Sequence, residues 1–255
     1  MNRGWGELRI VGALVERAFR GTVSDRGRLV DLLLMPFSFL VIWGLLLQSN
    51  VIPRSVGLPL LIVNLIWSIA ASVQMQGNRT MMFDLWAREF CELFRSGVSP
   101  RSYLGALIIV GALSGIANLG VFLVVVPLLF DLHFTDLAPL VTVFPIYFIA
   151  ALGLMAMVGG LVLKLGQTYG FLSWTALQFL MIFSAPYAPL ESLPQWLGAI
   201  CQVSPFTFAF EFVRFGDVSM YGAGLVIALL YAAFGGAYFL YAFNEARRMG
   251  RLVNL

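Results

Sequence analysis

The sequence has few charged residues. Only 11% of its 255 residues are Asp, Glu, Lys or Arg, whereas 60% are hydrophobic. Soluble globular proteins are about one quarter charged, because a surface in contact with water needs that many ions. A chain with so few charges must be surrounded by lipid over most of its length. We therefore predict an integral membrane protein, and the small net charge of +3 gives no indication of nucleic-acid binding.

Histidine and cysteine are almost missing. His133 is the only histidine, and it lies in a short loop with Asp131 and Asp136, which is typical of a solvated turn rather than a metal site. The two cysteines, Cys91 and Cys201, fall on opposite sides of the membrane in the topology predicted below, so they predict no disulfide bond. We expect no metal and no catalytic residue in this chain.

Six apolar segments are each long enough to cross a membrane, which takes about 20 helical residues. Only helices are expected, because backbone groups in lipid must be satisfied within their own segment and no barrel-like alternation is present. The fold class is therefore all-α with six transmembrane helices. The predicted spans lie near residues 29–48, 57–75, 102–130, 137–163, 170–188 and 221–243.

Lys and Arg are distributed unevenly between the two sides of these spans. Fourteen flank one side, namely six in the N-terminal arm, four in residues 76–101, one in residues 164–169 and three in the C-terminal tail. Only Arg54 and Arg214 flank the other side. By the positive-inside rule, both termini are predicted to be cytoplasmic in a multi-pass protein of the cell membrane.

Charged residues that would drive or perform chemistry are also missing. Lys164 is the only lysine and Leu165 follows it, so the chain has no P-loop, which ends in Lys followed by Ser or Thr. The centres of the predicted spans contain no charged residue, since Asp31 and Lys164 lie at span ends. This pattern disfavours an ion-coupled carrier. If transport is driven by ATP, the ATPase must be another chain.

The N-terminal residues 1–28 precede the first span. Part of this segment, residues 5–20, has an apolar helical stripe and carries most of its charges elsewhere, which predicts an amphipathic helix in the cytoplasmic membrane interface. A partly ordered basic arm is the alternative. The stripe consists of Leu8, Val11, Val15 and Ala18.

The external residues 186–220 are interrupted by proline and are too short in each piece to span a membrane. They predict short re-entrant or interfacial helices before the last span. Glu211 and Arg214 are three residues apart, so they share a helix face and are predicted to form an ion pair that holds this segment. Its other marked residues are Pro194, Trp196 and Pro205.

In the third span, Gly111 and Gly115 form a Gly-x-x-x-Gly pattern that lets two helices approach closely. Within a six-helix bundle we interpret this pattern as packing inside one subunit.

Two stretches of sequence resemble a known family. One is residues 84–105, DLWAREFCELFRSGVSPRSYLG, and the other is residues 186–197, PYAPLESLPQWL, which continues to SPFT at 204–207 and to Glu211 and Arg214. Together with the order of the predicted helices, they resemble the membrane (permease) subunits of type-2 ABC exporters. The resemblance covers nearly the whole chain.

This resemblance implies a function and partners. Residues 80–96 would form the coupling helix that docks on a nucleotide-binding ABC ATPase subunit, and Phe83, Trp86 and Phe90 in it look exposed. ATP and Mg would bind to that partner and no cofactor to this chain. A second copy, or a homologous permease, would complete a pathway for a lipid-linked glycan, a lipid or a drug. The expected docking residues are Asp84, Trp86, Arg88, Glu89, Glu92 and Arg95.

Other interpretations remain open at this stage. The segment 80–96 is also compatible with a helix that lies on the membrane surface. A membrane-embedded enzyme that modifies lipids is a second class of function, although Asp131, His133 and Asp136 are its only candidate residues. An ion-coupled carrier is a third.

Overall fold

The computed structural model describes residues 3–24, 37–38, 40–49, 51–87 and 89–249. Within these residues all regular structure is helical. The α-helices are α1 Arg3–Ser24, α2 at residues 37–38 and 40–48, α3 Arg54–Trp86, α4 Phe90–Arg95, α5 Pro100–Phe130, α6 Ala138–Thr142, α7 Phe144–Leu165, α8 Leu172–Ile182, α9 Gln195–Cys201, α10 Pro205–Phe215 and α11 Val218–Arg248. Short 3-10 helices cover Phe134–Leu137, Gln167–Phe171 and Leu190–Ser192.

Four of the described helices, α3, α5, α7 and α11, are long and apolar enough to cross a membrane. A fifth crossing is possible if α9 and α10, which are bent by 105° at their break, count as one span or as a re-entrant loop. The first predicted span, near 29–48, begins outside the described residues, and its described part is the helix α2. The structure thus contains the helices that correspond to predicted spans two, three, four and six.

The predicted fifth span, 170–188, is shorter in the structure. Its α-helix is α8, which has 11 residues and ends at Ile182. Pro186 explains the early end, because a residue that precedes proline is disfavoured in the helical conformation. Ala185 instead has a positive φ of 51°. The span boundary predicted at 188 is therefore wrong for the helix.

The interior of the bundle is formed mainly by α7 and α3. Buried residues make up 72% of the most apolar stretch of α7 and 61% of that of α3, but only 22% for α5 and α11. α5 and α11 therefore lie at the outside of the subunit, where their apolar residues are available to lipid or to another chain.

Two glycines allow α7 and α11 to cross at close range. A Cβ on Gly235 would collide with the backbone of Gly153, and a Cβ on Gly153 would lie 2.5 Å from the Tyr231 carbonyl carbon. Only glycine permits this approach, which brings the two backbones together without intervening side chains.

The Gly-x-x-x-Gly pattern lies on the face of α5 that packs against α3. A Cβ on Gly111 would be 2.7 Å from the Val73 carbonyl oxygen, and a Cβ on Gly115 would collide with the Val73 side chain. Both glycines therefore act in packing within the subunit in this structure.

The two ends of the bundle are distinct. We call one the α4 end, where α1, α4 and the last turns of α3 and α11 meet the start of α5. We call the other the α9 end, where α9 and α10 meet the start of α3. At the α9 end, Gly216 closes α10 with a positive φ of 69° and Asp217 caps α11. Hydrogen bonds from the side chain and backbone of Ser219 hold the pKa of the Asp217 carboxyl below its ordinary value.

Candidate functional site

At the α4 end, the chain turns twice within a few residues. α3 ends at Trp86, α4 is a single short helix, and Gly97 turns the chain with a φ of 94°. Ser99 then caps α5, because its hydroxyl accepts a hydrogen bond from the Ser102 backbone N–H at 3.0 Å. The predicted coupling helix over 80–96 is therefore wrong as one helix: α3 ends at Trp86, the described residues Ala87 and Glu89 are not helical, and α4 begins at Phe90.

Four aromatic rings anchor α4 to the bundle. The Phe94 ring centroid lies 4.5 Å from that of Phe243 on α11 and 5.5 Å from that of Tyr103 on α5. The Phe90 ring packs on the same two rings at 6.2 and 5.5 Å. Phe90 is only 2% exposed, so the expectation that it is an exposed anchor is wrong. Its ring contributes to the bundle core instead.

Asp84 is also internal, although the sequence suggested a surface docking residue. Its carboxylate accepts a hydrogen bond from the Tyr103 hydroxyl at 2.7 Å and from the Arg17 guanidinium at 2.6 Å. The same guanidinium donates to the Glu89 carboxylate at 3.1 Å. A buried carboxylate is stable only with such partners. Arg17 therefore joins α1 to the end of α3 and to the residue before α4.

Sequence reasoning did not assign a role to Arg17. Among residues 6–24 of α1, whose burial is described, Leu14 is the most buried, and Arg17 follows it by three positions on the same helix face. No signal in the sequence indicated this role, because the partner Asp84 lies 67 residues after Arg17. Of the predicted apolar stripe, Leu8 is 67% exposed, whereas Val11 and Val15 pack against the bundle.

The other expected docking residues that the structure describes lie on the outer side of this end. Trp86 is 48% exposed and stacks on Trp174 of α8 at 6.1 Å between ring centroids. Glu92 and Arg95 are exposed and form an ion pair at 2.6 Å. Glu89 is exposed as well, and Arg88 lies outside the described residues. We call Trp86, Glu89, Glu92 and Arg95 the α4 rim.

At the α9 end, Glu211 and Arg214 form the predicted ion pair, with 2.9 Å between the guanidinium and the carboxylate. Both side chains are nearly buried. Arg214 also donates to the carbonyl oxygens of Ala185, at 2.8 Å, and of Pro186. Glu211 accepts from the backbone N–H of Leu190 at 3.3 Å. The pair therefore fastens the segment after α8 to α10.

The other marked residues of this segment occupy helix starts and surfaces. Pro194 precedes α9 as its N-cap, and Pro205 begins α10, where a missing N–H costs no helical hydrogen bond. Trp196 is 66% exposed on α9.

A cleft of about 500 Å³ opens between α3, α8 and the α9 end. Its walls are mostly apolar, with Val63 and Trp67 on α3 and Met181 on α8. Asn64, Gln178 and Tyr187 add neutral polar groups, and the Tyr187 hydroxyl donates to Asn64 at 3.4 Å. We call this space the outer cleft.

The loop that contains His133 is held by its own hydrogen bonds. Asp136 accepts from the His133 backbone N–H at 3.0 Å and from the Arg54 guanidinium at 2.9 Å. Among the described residues, no three His, Cys, Asp or Glu side chains converge as metal ligands.

Comparison with known families gives one finding. The model of the ABC-2 type transporter family matches residues 10–217, which include Arg17, Asp84 and Arg214. Comparison with curated proteins gave no match. Since the family match covers most of the chain, this protein is the membrane component of a transporter and belongs to the ABC-2 type transporter family.

Proposed function

We propose that the chain is the permease subunit of an ATP-driven exporter that works as a dimer with separate nucleotide-binding subunits. The partner permease is a second copy or a homologous chain, and ATP and Mg bind to the ATPase partner. The α4 end supports this proposal best, because it combines an exposed rim with a base that is fixed in the bundle core.

The α4 rim has the composition of a docking surface. Trp86 offers a large half-exposed ring, and Arg95 offers a guanidinium, and these are two of the residue types that contribute most to interfaces. Glu89 and Glu92 supply acidic groups beside them. An ATPase subunit would contact this rim, whereas Asp84 would act behind it by holding α1 and α3 together.

The aromatic contacts of α4 could transmit a movement of α4 to the neighbouring helices. A push on α4 would act on α5 through Tyr103 and on α11 through Phe243, since both rings contact Phe90 and Phe94. It would reach α1 through Arg17, which contacts Glu89 and Asp84. Closure of the ATPase subunits would in this way shift helices as rigid bodies and change access to the pathway.

The charge distribution supports an orientation with the α4 end in the cytoplasm of a cell-membrane protein. α1 would then lie in the cytoplasmic interface. Its exposed apolar residues Leu8, Phe19 and Val23 would contact acyl chains, while Arg9 on the polar face would contact headgroups.

The substrate would be amphipathic. The outer cleft has apolar walls and three neutral polar side chains, so it suits an acyl chain or an apolar ring system with an uncharged polar group. Lipids, lipid-linked glycans and apolar drugs share this chemistry.

The test is co-purification of an ATPase with the full-length chain from cells that express both subunits. Trp86→Ala and Arg95→Glu should each reduce the amount of bound ATPase several-fold and lower its activity in the complex. Because Arg95 pairs with Glu92, the double variant Glu92→Arg/Arg95→Glu keeps the ion pair and reverses its direction. It should bind the ATPase as poorly as Arg95→Glu.

Arg9→Glu serves as the matched control, since Arg9 is an exposed arginine on α1 that lies eight residues before Arg17, the residue that contacts Glu89 of the rim. It should leave ATPase binding unchanged. Equal binding by the wild type and all α4 variants would show that the ATPase docks elsewhere and would overturn the assignment.

A further inference from the structure

Three buried neutral polar residues lie where α3 passes α8. Gln74, Asn78 and Ser173 are each 0% exposed, and the Gln74 side-chain amide donates to the Ser173 carbonyl oxygen at 3.1 Å. Asn78 lies one helical turn after Gln74 on the same face of α3. One turn further, Met82 packs against Gly170, just before α8. Asn78 is thus flanked on both sides by contacts with the α8 segment, and we call this place the α3–α8 seam.

The seam contains polar atoms without a protein partner. Gln74 Oε1, Asn78 Oδ1, Asn78 Nδ2 and Ser173 Oγ are all buried, and none has a hydrogen bond to the residues that the structure describes. The same is true if the Asn78 side-chain amide is flipped, because neither its oxygen nor its nitrogen has a partner in the described part of the chain. Each such atom has lost its hydrogen bonds to water, which costs free energy as long as it stays unsatisfied. In a membrane no bulk water relieves this cost.

The chemistry of the four atoms selects the ligand. Gln74 Oε1 and Asn78 Oδ1 accept hydrogen bonds, Asn78 Nδ2 donates them, and Ser173 Oγ can do either. A metal cation would be repelled by the Asn78 N–H groups, and an anion would be repelled by the carbonyl oxygens. Water both donates and accepts, and buried water commonly joins three such groups.

We propose that the α3–α8 seam binds a cluster of ordered water molecules that hydrogen-bond to Gln74, Asn78 and Ser173. The seam leads toward the outer cleft, where Gln178 Oε1 on α8 is another buried polar atom without a partner among the described residues. This inference does not depend on the proposed exporter function.

Radiolytic hydroxyl labelling of the full-length chain in lipid nanodiscs tests the site, because it oxidises side chains that lie beside bound water. Met82 reports on the seam. Met155 is the matched control: both are at most 1% exposed, but Met155 packs against Gly77 and Gly111 at the crossing of α3, α5 and α7. In H₂¹⁸O, Met82 should gain labelled sulfoxide oxygen several-fold faster than Met155.

Two further experiments distinguish bound water from a bound cation. Asn78→Leu should slow the labelling of Met82 toward the Met155 rate, because it removes two of the unpaired atoms. Replacing Na⁺ and K⁺ by choline should leave the Met82 rate unchanged.

Equal labelling of Met82 and Met155 in the wild type would show a dry seam and overturn the proposal, whether or not the Asn78→Leu variant folds. A Met82 rate that depends on Na⁺ or K⁺ would assign the site to a cation and overturn it as well.

Discussion

Arg17 and Asp84 join the first helix of the chain to the end of α3, with 2.6 Å between guanidinium and carboxylate. The Asp84 side chain is 8% exposed and that of Arg17 is 36% exposed, so the pair lies at the edge of the interior. Asp84 also accepts from Tyr103 on α5, which means that one carboxylate holds three helices together.

Removing the arginine of this pair should destabilise the protein. Arg17→Ala leaves the Asp84 carboxylate with only one strong donor, and we expect a loss of roughly 1–3 kcal/mol. The measurement is the thermal unfolding midpoint of the purified protein in detergent. Arg20→Ala is the control, because Arg20 pairs with Glu16 at 2.5 Å on the exposed face of the same helix. It should cost about 1 kcal/mol or less. Similar shifts for both variants would contradict the structural role of Arg17.

The α7–α11 crossing should not tolerate a side chain at Gly235. Its Cβ would collide with the Gly153 backbone, so Gly235→Ala must push two long helices apart. We expect a destabilisation of about 1–3 kcal/mol, in the range of overpacked cores.

Gly236→Ala is the control for this variant, because nothing lies within 4 Å of a Cβ at that position. It should be neutral or slightly stabilising, since alanine favours helix more than glycine. If both substitutions lower the unfolding midpoint equally, the close crossing is not a determinant of stability.

Composition and hydropathy predicted the helical class, the helices of spans two, three, four and six, and the short helices between α8 and α11. The four spans were predictable because each contains a continuous apolar run, and the short helices because proline divides residues 186–220 into pieces that are too short to span. The end of α8 was missed, because the effect of Pro186 on Ala185 is a local backbone constraint within an apolar run.

The roles of Asp84 and Phe90 were also missed, and the reason is tertiary. Charge alternation and aromatic content of residues 80–96 are typical of an exposed helix. They do not reveal that Arg17, 67 residues earlier, reaches Asp84. Nor do they reveal that Phe243 on the last helix covers Phe90. The ion pair of Glu211 and Arg214 was predictable because its partners are three residues apart on one helix.

Loss of Arg214 should release the segment that follows α8. Arg214→Ala leaves the Glu211 carboxylate buried without its counter-ion and frees the carbonyl groups of Ala185 and Pro186. We expect a cost of about 3–5 kcal/mol, as for other broken buried pairs. Limited proteolysis should cut the chain between residues 185 and 195 much faster than in the wild type.

Arg54→Ala tests whether this effect is specific. Arg54 also forms an ion pair at the α9 end, with Asp136 at 2.9 Å, but its side chain is 61% exposed. Its loss should cost about 0–1 kcal/mol and leave the proteolysis pattern unchanged. Equal protease sensitivity of both variants would show that Arg214 does not hold the segment.

Substitutions of Phe90 and Trp86 should distinguish a residue that anchors α4 in the bundle from a residue that binds the ATPase. Phe90→Ala removes a ring that is buried between Tyr103 and Phe243, and it should destabilise the protein by about 3–5 kcal/mol. Trp86→Ala loses its ring contacts with Trp174 and Phe83 and should cost less, about 1–3 kcal/mol.

ATPase binding should show the opposite order when Trp86→Ala and Phe90→Leu are compared at a temperature where both are folded. Trp86→Ala should reduce it strongly, whereas Phe90→Leu, which keeps an apolar side chain in the core, should retain it. If Phe90→Leu loses the ATPase while Trp86→Ala keeps it, the docking surface includes the inner face of α4, and the division into rim and anchor is wrong.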